Sequence, residues 1–177
     1  MSSPTVWKRF SASAETTDWD ALYTEHLPRV YNFFRYRTGV AAVAEDLTSA
    51  TFEKAWRHRE RYRRDLAAFA TWLFSIARNV AADFFRRERP TAPLEEANAL
   101  PGEEAPEVIV QQRLMFARLA ALLAQLPERE RELIALKYGA ELNNREIAKL
   151  TGLSESNVGT VLSRAVQKLR TEWEPEP

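Results

Sequence analysis

The run from Asn143 to Arg170, NNREIAKLTGLSESNVGTVLSRAVQKLR, contains two helix starts separated by one tight turn, which predicts a helix-turn-helix. Asn143 can cap the first helix, and Glu146, three residues on, can reach back to the cap's own amide. Ile147, Ala148 and Leu150 supply a short apolar side, and Gly152 tolerates the left-handed backbone that a turn at Thr151-Gly152-Leu153 needs. Ser154 starts the second helix. Val158, Val161, Leu162, Ala165 and Leu169 then recur at helical spacing as one buried stripe, which turns Ser156, Asn157, Thr160, Ser163, Arg164 and Gln167 outward. With Ser154 at its start and Lys168 near its end, that face is polar first and basic later. Asn and Arg can contact base edges in a major groove, while Ser, Thr and Lys reach phosphates. The plain alternative is a short helix pair inside an all-helical protein.

The rest of the chain is helical by the same reasoning. Only five of 177 residues are glycine, apolar positions recur at three and four, and no stretch reads as a strand. The predicted fold class is all-α, with two small helical domains joined by an acidic, proline-rich linker. Cysteine is absent, which excludes disulfides, thiolate metal sites and a cysteine nucleophile. No apolar run approaches the length of a membrane span, and Lys8 and Arg9 are followed by no apolar segment. A cytoplasmic protein without a signal peptide is therefore expected.

Net charge is zero, with 25 basic and 25 acidic residues, which at first argues against a nucleic-acid partner. The distribution qualifies this. Residues 18–89 carry 13 basic and 10 acidic side chains, residues 90–107 carry five acidic and no basic ones, and residues 108–177 carry 10 and nine. The middle segment, PTAPLEEANALPGEEAPE, also holds four of the nine prolines and reads as a linker. The expected organisation is a flexible segment over 1–17, a helical domain over 18–89, the linker over 90–107, a second helical domain over 108–172 and an acidic tail over 173–177. Five uncompensated carboxylates in the linker would be repelled by DNA, and the linker is expected to weaken DNA binding by the free protein.

In the first domain, Thr17 or Asp18 is a cap, Leu22, Tyr23, Val30, Phe33 and Phe34 form an apolar side, and Pro28 is expected to kink or interrupt the helix. His26 has no catalytic partner in view and reads as structural or superficial. From Val43 to about Arg59, a helix carries Leu47, Thr51, Phe52, Ala55 and Trp56 on one side and Asp46, Ser49 and Glu53 on the other. By spacing alone those carboxylates are a solvated face, with no metal or acid-base partner at matching positions. In the stretch 57–90, Phe69, Leu73, Ile76, Ala77, Val80 and Phe84 form a core stripe. Ser75, Arg78, Asn79, Ala82, Phe85 and Arg86 lie opposite, and Tyr62, Arg63 and Arg64 precede them. An aromatic ring among cations and an amide can stack on unpaired bases while the arginines hold the backbone. A core helix ending in a basic patch is the competing reading. In the second domain, Val110, Leu114, Leu119, Leu122 and Leu126 are expected to be buried, and Pro127 opens a helix where its missing amide costs nothing.

Five segments in order, LYTEHLPRVYNFFRYRTG, AEDLTSATFEKAW, FATWLFSIARNVAADFFRRERP, LPERERELIALKYGAEL and the helix-turn-helix, resemble an extracytoplasmic-function sigma factor of bacterial RNA polymerase. The resemblance implies a first domain that docks on core polymerase and opens the minus-10 element, and a second that reads the minus-35 element as duplex. It assigns Asp46, Ser49, Phe52, Glu53 and Trp56 to polymerase, and Tyr62, Arg63, Arg64, Arg78, Asn79, Phe85 and Arg86 to the minus-10 strand. To the minus-35 duplex it assigns Ser154, Ser156, Asn157, Thr160, Ser163, Arg164 and Lys168. It also implies promoter DNA, duplex and melted, as partner, leaves an anti-sigma factor open as another, and implies no cofactor, metal or catalytic residue. Ser49 stands where the family often has Gln, and Gly159 and Val161 stand where basic residues are common. A helix-turn-helix regulator binding operators as a dimer is the alternative class; an enzyme acting on nucleic acid lacks any suitable His, Asp and Glu cluster.

Overall fold

The structure, a computed structural model, describes residues 17–65, 67–88 and 106–174, and every described element is helical. Most of the linker, the first 16 residues and the last three lie outside the described residues, as does the expected effect of the linker's charge. Helix α1 (Trp19–Thr38) is opened by Asp18, whose Oδ1 accepts from the amide of Ala21 at 3.0 Å, and ends at Gly39 with φ 74°. Of the kink or interruption expected at Pro28, the interruption does not occur; α1 runs through it. Val30, Phe33 and Phe34 beyond the proline are fully buried. Their packing outweighs the roughly 3 kcal/mol that an interior proline costs.

Helix α2 (Ala41–Arg57) lays Ala44, Leu47, Phe52 and Ala55 against α1. Its buried hydroxyls are satisfied locally, Thr48 donating to the carbonyl of Ala44 at 2.6 Å and Thr51 to that of Leu47 at 2.8 Å. After a 3-10 turn at Arg59–Arg61, α3 (Phe69–Arg87) buries Phe69, Leu73, Phe74, Ala77, Val80 and Ala81. Of the expected stripe, Ile76 and Phe84 are only half-buried, while Phe74 and Ala81 go inside. The shift has a cause: α3 is covered by α2 and also by α6, so its buried arc is wider than one stripe.

The second half comprises α4 (Glu107–Gln125), α5 (Glu128–Ile134), a π-helical turn (Ala135–Gly139), α6 (Asn144–Thr151) and α7 (Glu155–Trp173). The expected buried side of α4 is corrected at its start. Leu114 is 62% exposed, and burial begins only at Ala120, Leu123 and Leu126, because α4 meets α1 and α7 mainly through its second half. Arg131 donates to the carbonyls of Ala124 and Leu126, closing the α4 terminus.

Two small helical domains were expected, and their buried side chains join in one contiguous cluster running from Val30 to Ala165. The join is α1 against the π-helical turn. Gly139 sits so close to α1 that a Cβ there would fall 2.9 Å from the backbone of Asn32 and Phe33. Nearby, Arg29 Nε donates to the carbonyl of Ala140 at 2.8 Å. Linker composition marks where two units meet in sequence but says nothing about whether their surfaces pack.

Candidate nucleic-acid interface

The helix-turn-helix is built as its sequence reads. Asn143 Oδ1 accepts from the Glu146 amide at 2.9 Å, and Glu146 Oε2 accepts from the Asn143 amide at 2.8 Å, so both cap donors are satisfied reciprocally. Gly152 takes φ 73° with open space around its Cα, so it is the backbone angle, not crowding, that calls for glycine. Ser154 Oγ accepts from the Asn157 amide at 3.1 Å and starts α7. Val158, Leu162 and Ala165 are buried and Val161 and Leu169 half-buried, which holds α7 against α5 and α6. Ser154, Ser156, Asn157, Thr160, Ser163, Arg164 and Lys168 all stand exposed on one continuous surface. Thr160 donates to the carbonyl of Ser156, and Lys168 binds both carboxylate oxygens of Glu130, at 3.0 and 2.9 Å. Arg164 is the cation of this face that no described carboxylate pairs with.

On α2, Asp46, Ser49 and Glu53 are exposed along one side. Glu53 is held by Arg57 at 2.5 Å. Phe52 is placed differently from its neighbours: it is 5% exposed and stacks edge-on against Tyr23 at 4.7 Å, so it holds the helix in place from inside. Trp56 is half-buried, with the guanidinium of Arg59 4.2 Å from its ring centroid and Trp19 at its edge.

In the third group Arg78 is drawn to the second half of the chain, while Phe85 packs against α1. Asn79 and Arg86 are exposed on α3, Arg86 bonding Asp83 at 2.6 Å. Tyr62 packs into an aromatic cluster, 5.4 Å from Phe69 and 5.2 Å from Trp72, and the exposed Arg63 and Arg64 follow it. Arg63 forks onto Asp65 at 3.0 and 2.8 Å, and that hydrogen-bonded pair holds the Asp65 carboxyl below its ordinary range. Arg78, by contrast, reaches across to the second half. Its Nε donates to Glu132 Oε1 at 2.8 Å, and its Nη1 donates to the carbonyl of Leu150 near the end of α6. Phe85 is half-buried, with the guanidinium of Arg37 lying 4.9 Å from its ring centroid.

Arg37 is the residue that sequence reasoning missed. Its side chain is 3% exposed, yet its Nη groups reach only Glu128, at 3.4 and 3.5 Å, and Glu128 is 75% exposed. Its Nε makes no hydrogen bond to a described residue. Burial pulls its guanidinium below the ordinary value, with Glu132 and Glu128 opposing the shift and Arg131 adding to it. An arginine amid aromatic and apolar residues on α1 gives no sign in sequence that a second unit will cover it. Among the described residues no group of three or more His, Asp or Glu side chains is placed to hold a metal, and no helix is long and apolar enough to cross a membrane.

Comparison with known proteins assigns the two halves. Residues 22–91 match the family model of Sigma-70 region 2, and residues 116–169 match Sigma-70, region 4. The chain is 33% identical over 162 residues to the ECF RNA polymerase sigma factor BldN of Streptomyces coelicolor, covering 89% of this chain but 61% of that protein. It is 31% identical to the ECF RNA polymerase sigma factor SigM of Bacillus subtilis, covering 85% of this chain and 92% of the relative. Among solved structures, CnrH in complex with the cytosolic domain of CnrY aligns with TM-score 0.62 at 26% identity, over 88% of this chain and 84% of CnrH. With two sigma-70 regions in order on an all-helical frame and relatives alike along most of its length, the chain belongs to the extracytoplasmic-function sigma factors of bacterial RNA polymerase.

Proposed function

We propose that this sigma factor directs core RNA polymerase to its promoters and helps melt the start region through three separate faces, without catalysis of its own. Residues 18–89 form the polymerase and minus-10 domain, residues 108–172 the minus-35 domain, and residues 90–107 the connection between them. Asp46, Ser49 and Glu53 on α2 meet the polymerase, with Trp56 at the margin and Phe52 supporting from inside. Asn79, Arg86, Tyr62, Arg63 and Arg64, joined by Arg78 and Phe85 once these are uncovered, hold the melted strand. Ser154, Ser156, Asn157, Thr160, Ser163, Arg164 and Lys168 read the duplex. The observation that carries this reading is the continuous exposed polar face of α7, set by two capped helix starts, in a chain that matches both sigma-70 regions in order. An operator-binding dimer is not favoured by a chain matched in both regions. Work in the cytoplasm and control by an inhibitory protein partner belong to the same proposal; that CnrH was solved in complex with another protein, the cytosolic domain of CnrY, supports a protein partner.

The test is reconstitution with core polymerase on fragmented bacterial DNA and sequencing of the transcript starts. Starts that share an upstream pair of elements, and that disappear without the protein, are expected. Asn79→Ala should keep assembly with polymerase while lowering permanganate reactivity of the start region, because an unpaired base loses its amide partner. Reactivity at the wild-type level would refute the strand-reading role.

A further inference from the structure

The outward side of α7 is basic towards its end in sequence, yet in the fold that end is neutral. Arg164 and Lys168, four residues apart on one side of the helix, border a groove of about 410 Å³ together with Gln167, Thr171 and Glu172. Glu130 of α5 closes on the same ridge. Both of its carboxylate oxygens accept from Lys168 Nζ, at 3.0 and 2.9 Å, and the two side chains are seated differently, Glu130 being 19% exposed and Lys168 53%. The carboxylate is fixed in the contact of α5 with α7 and is screened less than an open surface charge, while the ammonium stays at the surface. Glu172, itself exposed, stands one turn beyond Lys168. Two cations on this half of the face therefore meet two carboxylates.

An ammonium has three N–H donors, and the two spent on Glu130 leave one for a phosphate. Lys168 can still touch the duplex, but its charge is already answered. The sequence-independent part of duplex affinity follows the number of phosphates that a protein's cations neutralise, so a cation with a fixed counter-charge adds little to it. We infer that Glu130, a residue of α5 outside the helix-turn-helix, is an affinity-determining residue of duplex reading. It is a fixed counter-charge that cancels the phosphate attraction of Lys168 and leaves Arg164 as the main cationic contact of α7. The inference rests on the duplex-reading assignment of α7 and adds to it a residue 38 positions before Lys168, which no outward-facing pattern in the sequence marks. Weak phosphate attraction has a use. Most of the DNA that a free promoter reader meets is not promoter, and a reader with little sequence-independent affinity is not held there.

The experiment titrates salt against the full chain bound to two fluorescein-labelled duplexes, one carrying the upstream element found from the transcript starts and one with the same bases scrambled. Glu130→Gln keeps the size of the side chain and a carbonyl acceptor for Lys168, and removes only the charge. It should tighten both duplexes alike and steepen the slope of log affinity against log salt by about 0.9, so that its gain over wild type grows about 3.5-fold from about 200 to about 50 mM salt. Lys168→Gln should flatten the slope by a similar amount. The double variant should return to the wild-type slope, because cation and counter-charge leave together. A Glu130→Gln slope equal to that of wild type overturns the inference, and so does a double variant as flat as Lys168→Gln alone. Melting temperatures of the same proteins identify a purely structural residue: Glu130→Gln that loses stability without any change of slope makes Glu130 a packing contact and nothing more. The underlying assignment fails separately. Arg164→Ala binding the upstream element as tightly as wild type removes α7 from duplex reading, whereas a weakened Arg164→Ala beside an unchanged Glu130→Gln slope strikes the role of Glu130 alone.

Discussion

Asn143 and Glu146 cap one helix by exchanging hydrogen bonds, each side chain accepting the other's backbone amide at 2.9 and 2.8 Å. The pair fixes where α6 begins, and α6 in turn packs against α7, whose polar face is the proposed duplex reader. Loss of the pair should therefore be felt in two measurements. Asn143→Ala is expected to lower unfolding free energy by about 1 kcal/mol, the usual cost of a lost cap, and to weaken duplex binding through a less ordered α6. Duplex affinity falling in Asn143→Ala with no loss of stability would show that Asn143 contacts DNA itself.

Asp46 is exposed on α2, on the side that Ser49 and Glu53 share, while Phe52 anchors the other side. If α2 meets polymerase as proposed, charge reversal there meets the same partner surface with the wrong sign, and rim or interface charges act strongly on association. Asp46→Arg should abolish co-elution with core polymerase while leaving the melting temperature of the free protein within a degree or so of wild type, as expected for an exposed substitution. Unchanged co-elution removes α2 from the polymerase interface.

Arg164 differs from Lys168 in being exposed without a described carboxylate partner, whereas Lys168 is engaged by Glu130. That difference singles out Arg164 as the proposed base reader of α7. Arg164→Ala should cost about 1 to 3 kcal/mol of binding to the upstream element and relax preference at one position. Lys168→Ala should weaken all duplexes alike and reduce the salt dependence by about one charge. An equal loss on every sequence for Arg164→Ala makes it a phosphate contact.

Local features of this chain were legible because their causes are local. The capping box at Asn143, the left-handed Gly152, the Ser154 cap and the α7 stripe each depend on residues within one or two turns, and each appears where its residues sit. An interruption at Pro28 and the burial of the first half of α4 were misjudged because tertiary packing decides them. Fully buried Phe33 and Phe34 carry α1 through its proline, and the first half of α4 reads as amphipathic while Leu114 remains exposed. The exposure of the positions proposed to read strand and duplex could be placed from periodicity, but the covering of Arg78 and Phe85 could not. Their partners Glu132 and Arg37 lie 54 and 48 positions away in sequence, and an arginine pattern does not reveal whether water, a carboxylate or nucleic acid receives it.

His26 supplies a pH dependence whose sign follows from its surroundings. The ring is 4% exposed, lies 5.1 Å from the Phe69 ring and has Nδ1 3.0 Å from the carbonyl of Leu22. Burial lowers its pKa below the ordinary imidazole value; the bond to the Leu22 carbonyl and nearby Glu25 push the other way, and nearby Arg29 adds to the lowering. In the unfolded chain the imidazole regains its ordinary affinity for protons. Between the folded and unfolded values the unfolded state therefore binds more protons, and stability rises with pH there. The contribution is fully present above about 6.5, the unfolded value, and is lost as pH falls below it towards the depressed folded value. Phe69 also touches Trp19, Tyr62 and Trp72, so protonation of His26 loads the aromatic cluster that positions Tyr62 ahead of α3. Chemical denaturation of wild type and His26→Gln at pH 7.5 and 5.5 is the measurement. Wild type should lose more stability than His26→Gln on acidification, so the gap between the two proteins should change in favour of the variant. Parallel losses in the two proteins would mean that another group sets the acid sensitivity of the first domain.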